Sequence, residues 1–137
     1  MRWTVLGLLV AVAGCDTSAI DGVGASLLTD AEAYVAESKA EVQLVNETDD
    51  RVLHPVLDCA DLQVRTDDGW EDTETAAVRT CPDVLYELDG GAADVAAVVL
   101  DVAPGTYRFR MVVYLDGTEA VGVATAPFDV AAAAPGN

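Results

Sequence analysis

The chain has 137 residues, 52% of them hydrophobic, and carries seven basic residues against twenty-four acidic ones for a net charge of −17. That length suits a single modest domain with a real core, and the charge excludes nucleic acid as a partner because such a surface repels phosphate. The carboxylates are spread along the chain and lysine is nearly absent (Lys39 alone), a pattern that points to adaptation to high salt rather than to one cationic partner.

Residues 1–14 run from a short basic start at Arg2 through an apolar stretch, Val5 to Val12, to Ala13 and Gly14. This is the layout of a secretory signal. Val5 to Gly14 is only half of what a membrane-crossing helix needs, about twenty residues, and Asp16 closes it. Val12-Ala13-Gly14-Cys15 resembles the lipobox of bacterial lipoproteins. The resemblance implies cleavage before Cys15, lipidation of its sulfur, and a place in the bacterial cell envelope, membrane-anchored and facing the periplasm or the exterior. One acyl chain holds a protein only reversibly, at about 0.8 kcal/mol per buried methylene; the three chains of a mature bacterial lipoprotein would hold it stably. With Cys15 lipidated, Cys59 and Cys81 remain as a pair. Outside the cytoplasm such a pair reads as a structural disulfide, worth roughly 3 kcal/mol in the chain-entropy account.

Residues 15–39 read as the lipidated cysteine followed by a tether, since 16–30 are small, polar and glycine-containing. Ala31 to Ala36 fits a helical turn or a first strand equally. From 40 to 131 the hydrophobic period is two. Val42 and Leu44 begin it, and Asn46 to Asp50 turns the chain. Val52, His54 and Val56 form a short run, and Leu62, Val64 and Thr66 the next. Asp67-Asp68-Gly69 makes a hairpin with Trp70 starting the return strand. Val84, Tyr86 and Leu88 make a further run, then Val98, Leu100 and Val102. The clearest strand follows Pro104-Gly105: Tyr107, Phe109, Met111, Val113 and Leu115 share one face, with Arg108 and Arg110 opposite. Asp116-Gly117 turns into a last strand whose apolar parity changes near Ala126-Pro127, from Val121 and Val123 to Phe128 and Val130, which calls for a bulge. Residues 132–137 read as a disordered tail. About seven short strands at this spacing predict an all-β, antiparallel sandwich.

Leu100-Asp-Val-Ala-Pro-Gly-Thr-Tyr107 resembles the tyrosine corner of immunoglobulin-like and fibronectin-like domains. The resemblance implies a structural role for Pro104, Gly105 and Tyr107, the hydroxyl of Tyr107 bonding back to nearby backbone. The order of Val42 to Thr48, Leu62-Gln63, Gly69-Trp70 and Pro104 to Arg108 is similar to small bacterial Ig-like domains of exported proteins. The strand that holds Tyr107 has no cysteine, so the bridge ties neighbouring loops or strands instead of crossing the core as in antibody domains.

No catalytic constellation stands out. A triad would have to use His54, which reads as a partly exposed sheet residue, with Ser18, Ser26 or Ser38 in or beside the tether, and no Gly-x-Ser-x-Gly turn exists. One histidine and a bridged cysteine pair do not make a zinc site. A calcium site would need Asp49-Asp50, Asp67-Asp68, Glu71 and Asp72 to converge. No cofactor is expected. Asn46-Glu47-Thr48 fits a glycosylation pattern, but its asparagine more simply makes a turn. Arg108, Arg110 and Tyr114 make a mixed basic and aromatic stripe that either pairs with cross-strand carboxylates or forms an interaction face. The sequence therefore suggests a non-enzymatic, lipid-anchored module that binds an envelope protein or a surface polymer. The alternative is a small extracytoplasmic protease inhibitor using Asp67 to Trp70 or Cys81 to Val84 as its exposed loop.

Overall fold

The structure, a computed structural model, describes residues 24–73, 81–116 and 118–134. The segment 1–14, Cys15 and the start of the tether lie outside the described residues, as do Gly117 and the end of the tail. Eleven strands are described: β1 (Ala25–Thr29), β2 (Ala33–Val35), β3 (Lys39–Asn46), β4 (Val52–His54), β5 (Asp61–Thr66), β6 (Gly69–Asp72), β7 (Tyr86–Leu88), β8 (Ala93–Val99), β9 (Gly105–Leu115), β10 (Glu119–Ala124) and β11 (Phe128–Ala131). A 3₁₀ turn, Leu57–Cys59, follows β4. The strands form the two-sheet β-sandwich that the period of two predicts. A small sheet runs β1-β3-β8, and a large sheet is built around β9.

β9 organises the large sheet because it is paired along both edges. On one side it meets β11 at Gly105 to Tyr107 and β10 at Arg110 to Leu115; on the other it meets β5 at Tyr107 to Arg110 and β4 at Tyr114 and Leu115. Its alternation sends Tyr107, Phe109, Met111 and Val113 into the core. There they face Val42, Leu44, Val98 and Leu100 from the small-sheet side. Phe128 sits among Tyr34, Tyr107 and Phe109, with ring centroids 5.3, 6.4 and 5.5 Å away.

The parity change in the last strand is resolved at Thr125. β10 stops at Ala124 and β11 starts at Phe128. Thr125, buried between them, donates its N–H to the Phe109 carbonyl (2.9 Å) and accepts the Phe109 N–H on its hydroxyl (3.0 Å). One side chain thus replaces a ladder bond while Val123, Phe128 and Val130 all stay buried.

The domain begins earlier than residue 40. β1, inside the expected tether, pairs with β3 from Ala25 opposite Asn46 to Thr29 opposite Val42. The chain then changes sheets, and β2 runs parallel to β11. Asp30 fixes this crossing: its carboxylate accepts from the Tyr34 hydroxyl (2.5 Å) and the Glu41 N–H (3.0 Å). Those bonds hold the Asp30 carboxyl below its ordinary range, while burial and then Asp30 push the Tyr34 phenol up. Two short strands split between two sheets carry too little periodicity for sequence reading. The run Val84, Tyr86, Leu88 also differs from expectation. Only Tyr86–Leu88 is strand, and of the three apolar residues only Leu88 is buried, because β7 is an edge strand.

Asn46 closes one end of the sandwich. It is fully buried; its amide donates to the carbonyls of Leu88 and Asp50 (both 2.8 Å), and its Oδ1 accepts from the Thr48 N–H and hydroxyl (2.9 and 2.7 Å). The Asn-x-Thr sequence is a turn built into the core. A Cβ on Gly90 would lie 2.7 Å from the Asp49 backbone, so the turn ending β7 must carry glycine to approach it. Asn46→Ala leaves the buried Leu88 carbonyl without its donor, at a cost of about 1–3 kcal/mol. Chemical denaturation is expected to show a loss at the upper end of that range for Asn46→Ala and a comparable one for Gly90→Ala. An unchanged midpoint in both would contradict the role given to this contact.

Candidate interaction face

The outward residues of β9 and its neighbours form the most differentiated surface of the molecule. Antiparallel register sets Arg108 beside Gln63 and Arg110 beside Asp61 on β5, and Arg65 beside Trp70 across the β5–β6 hairpin. Arg108 Nε donates to Gln63 Oε1 (2.8 Å), and Gln63 Nε2 donates to Asp72 Oδ1 (3.1 Å). The Arg108 guanidinium lies 4.6 Å from the Trp70 ring centroid and that of Arg65 lies 5.7 Å from it. A half-buried indole thus has two guanidiniums on it, an arrangement that attracts through the ring quadrupole. Burial, and then the neighbouring Arg110, hold the Arg108 guanidinium below its ordinary value.

Arg110 and Tyr114 continue the stripe along β9, with Val112 between them. Arg110 lies flat over β10: a Cβ on Gly122 would sit 2.7 Å from Arg110 Nη2. Tyr114 stands beside Leu53 and Ala120. Among the described residues Arg108 meets a neutral amide and an indole. In the sequence Gln63 and Trp70 stand out only as hairpin residues, Trp70 also at the end of a candidate inhibitory loop, and neither they nor Arg65 and Gly122 point to this face. The two-residue turn Asp67-Asp68 carried the signal for the first three, because it fixes Arg65 opposite Trp70 and leaves only the register against β9 to find.

The other residues singled out in the sequence fall elsewhere. Tyr107 donates its hydroxyl to the Ala103 carbonyl (2.5 Å), and its ring packs 3.3 Å from where a Gly105 Cβ would be. Burial raises its phenol. Pro104 and Gly105 thus make the corner that starts β9. The Cys59–Cys81 disulfide, with Cα atoms 6.1 Å apart and a sequence separation of 22, ties the 3₁₀ turn to the segment entering β7 and does not cross the core. The two candidate inhibitory loops are the tip of the β5–β6 hairpin, Asp67 to Trp70, and the exposed stretch Cys81 to Val84 anchored by that disulfide.

His54 is buried at 1% exposure, not partly exposed. Its Nδ1 lies 2.6 Å from the Pro55 carbonyl and its Nε2 3.7 Å from Asp94 Oδ2, so it links β4 to β8 across the gap between the sheets. Ser38, one candidate nucleophile, instead donates to the Val35 carbonyl (2.6 Å). The acidic loops do not converge. Asp50 precedes Val52, which pairs with Leu115, whereas the Asp67-Asp68 turn lies beyond Val64, which pairs with Tyr107. The length of β9 separates them, roughly 26 Å at 3.3 Å per residue. Among the described residues no group of three histidine, cysteine, aspartate or glutamate side chains is placed to hold a metal. Nor is any helix among them long and apolar enough to cross a membrane.

No protein-family model matches the chain, and no curated protein matches it in sequence. Solved structures similar in fold include two of these proportions. One is a structural-genomics target, SoR45, at 11% identity and a TM-score of 0.48, covering 84% of this chain and 90% of that one. The other is PapD-like domain 7 of human CEP192, at 15% identity and a TM-score of 0.42, covering 96% and 99%. The chain is an all-β, two-sheet sandwich, an architecture that hosts many unrelated functions.

The indole–guanidinium contact is testable. A double-mutant cycle of Trp70→Ala and Arg108→Ala, read by denaturant unfolding, is expected to give a coupling of about 1 kcal/mol. Additive single effects would show that the two side chains are merely adjacent.

Proposed function

We propose that this chain is a non-enzymatic, lipid-anchored interaction module of the bacterial cell envelope. Cys15 holds it to the membrane, and the outer face of its large sheet engages another envelope protein or a surface polymer. The observation that carries the reading is the distribution of cations. Of the basic residues within the described segments (Lys39, Arg51, Arg65, Arg108 and Arg110), Arg65 and Arg108 lie over Trp70 and Arg110 neighbours Arg108 on the same sheet face, in a chain of net charge −17. Arginine, tryptophan and tyrosine are the residues that most often dominate binding energy at interfaces. A face built on a strand paired along both edges is already ordered before it binds, which lowers the entropy cost of association. The dispersed carboxylates elsewhere are read as solvation in a salt-adapted organism.

The test places a photo-crosslinking residue at Trp70, and separately at Glu47 at the far end of the sandwich, in the full chain in its native cells. The module is expected in the membrane fraction, with crosslinked product from position 70 and not from 47. Arg108→Ala with Arg110→Ala should reduce that product several-fold. Equal products from both positions would overturn the face. A soluble chain whose Cys15 carries no lipid by mass spectrometry would overturn the anchor independently.

A further inference from the structure

Two residues break the alternation of the inner sheet faces at one flank of the sandwich. β8 sets Asp94, Ala96 and Val98 opposite Leu44, Val42 and Ala40, all three of them buried. Asp94 therefore holds an inward position where the pattern calls for an apolar residue. His54 does the same on β4, two residues after the buried Val52. Beside this pair is a crevice of about 300 Å³. Val56, Leu57 and Asp58 line it from the 3₁₀ turn and its approach, which pack on β8; Asp94 and Ala96 line it from β8, and Tyr86 from β7.

The inward pair does not satisfy itself. The Pro55 carbonyl can only accept, so His54 Nδ1, 2.6 Å from it, carries the ring proton. Nε2 of the neutral ring is then an acceptor. It faces a second acceptor, Asp94 Oδ2, at 3.7 Å, beyond hydrogen-bond length. The other oxygen of Asp94 accepts the Val95 N–H at 3.0 Å, which holds the carboxylate in place while 49% of the side chain stays exposed. A cation at Asp94 would neutralise the carboxylate and remove its repulsion with the imidazole lone pair behind it. Apolar walls, a half-exposed phenol ring and one fixed carboxylate are what a long cationic side chain needs.

We infer that this crevice takes the arginine side chain of a partner polypeptide, with the guanidinium on the Asp94 carboxylate and its plane against the Tyr86 ring. Guanidinium pairs with carboxylate through parallel N–H groups, stacks on aromatic faces, and loses less hydration than an ammonium on entering such a site. The methylene stem lies along Val56, Leu57 and Ala96, as such stems do on apolar surface. Val84 and Leu85, 49% and 47% exposed just before Tyr86, offer apolar surface to the residues flanking the arginine. The chain's charge of −17 draws a cationic segment toward it. This site is separate from the arginine–tryptophan face on the outer side of the large sheet and does not rest on the reading of that face.

The test titrates the isotope-labelled full chain with a capped valyl-arginyl-valine tripeptide and follows amide shifts by NMR. It is run at about pH 8, above the ordinary imidazole range, because a second proton on His54 would neutralise Asp94 from inside. Saturable shifts are expected at Leu57, Val95 and Ala96, and none with the same peptide carrying neutral citrulline. Asp94→Asn and Tyr86→Leu should each weaken binding several-fold. Glu119→Gln, which removes one charge from β10 on the opposite flank beside β1, should leave it unchanged. Tyr86 sits half-exposed on an edge strand, so Tyr86→Leu and the citrulline peptide decide the matter if Asp94→Asn does not fold. No saturable shift at these amides, equal binding of the citrulline peptide, or equal weakening by Asp94→Asn and Glu119→Gln would overturn the inference. A lysine peptide that binds as tightly as the arginine one would overturn the stacked guanidinium.

Discussion

Everything in this molecule depends on the strict alternation of Gly105–Leu115, a strand hydrogen-bonded along both edges and apolar at every second residue. A one-residue slip would expose Phe109, Met111 and Val113 and bury two arginines, so the register is over-determined. From that single constraint come the core on one side and the cationic stripe on the other. The Tyr107–Ala103 bond fixes where the strand starts, and Thr125 lets its neighbour change parity without leaving the ladder. The aromatic cluster around Phe128 then draws β2 against the sheet through Tyr34.

What the sequence made legible was whatever a short-range rule could express. The alternation from Tyr107 to Leu115, the Asp67-Asp68-Gly69 turn, the proline-glycine corner and the parity break near Pro127 each have a local cause, and each has its counterpart in the structure. The paired Cys59 and Cys81 likewise needed only a count. What escaped was set by tertiary placement. Ala25–Thr29 and Ala33–Val35 are too short to show a period, and they owe their conformation to β3 and β11. His54 is buried because the 3₁₀ turn after β4 folds over the gap between the sheets, which no neighbour in sequence announces. The candidate face was half legible: Arg108, Arg110 and Tyr114 follow from alternation, but the position of Trp70 against Arg108 needs the pairing of β5 with β9, a contact between segments more than forty residues apart.

The surface chemistry is polarised between the two sheets. The large sheet gathers arginine and indole on its outer side, while the small sheet presents valine, alanine and leucine beside Lys39, Glu41 and Gln43 of its central strand. The buried Asn46 network holds the loops at one end of this frame, and the disulfide ties the 3₁₀ turn on its flank to the segment entering β7.

Native-state hydrogen exchange tests the central claim most directly. The amides of Phe109, Met111 and Val113 are expected to exchange only through global unfolding, with protection equal to the whole unfolding free energy, while those of β1 and β2 open earlier. Exchange of the β9 amides through a local opening, as fast as that of β1, would contradict the account.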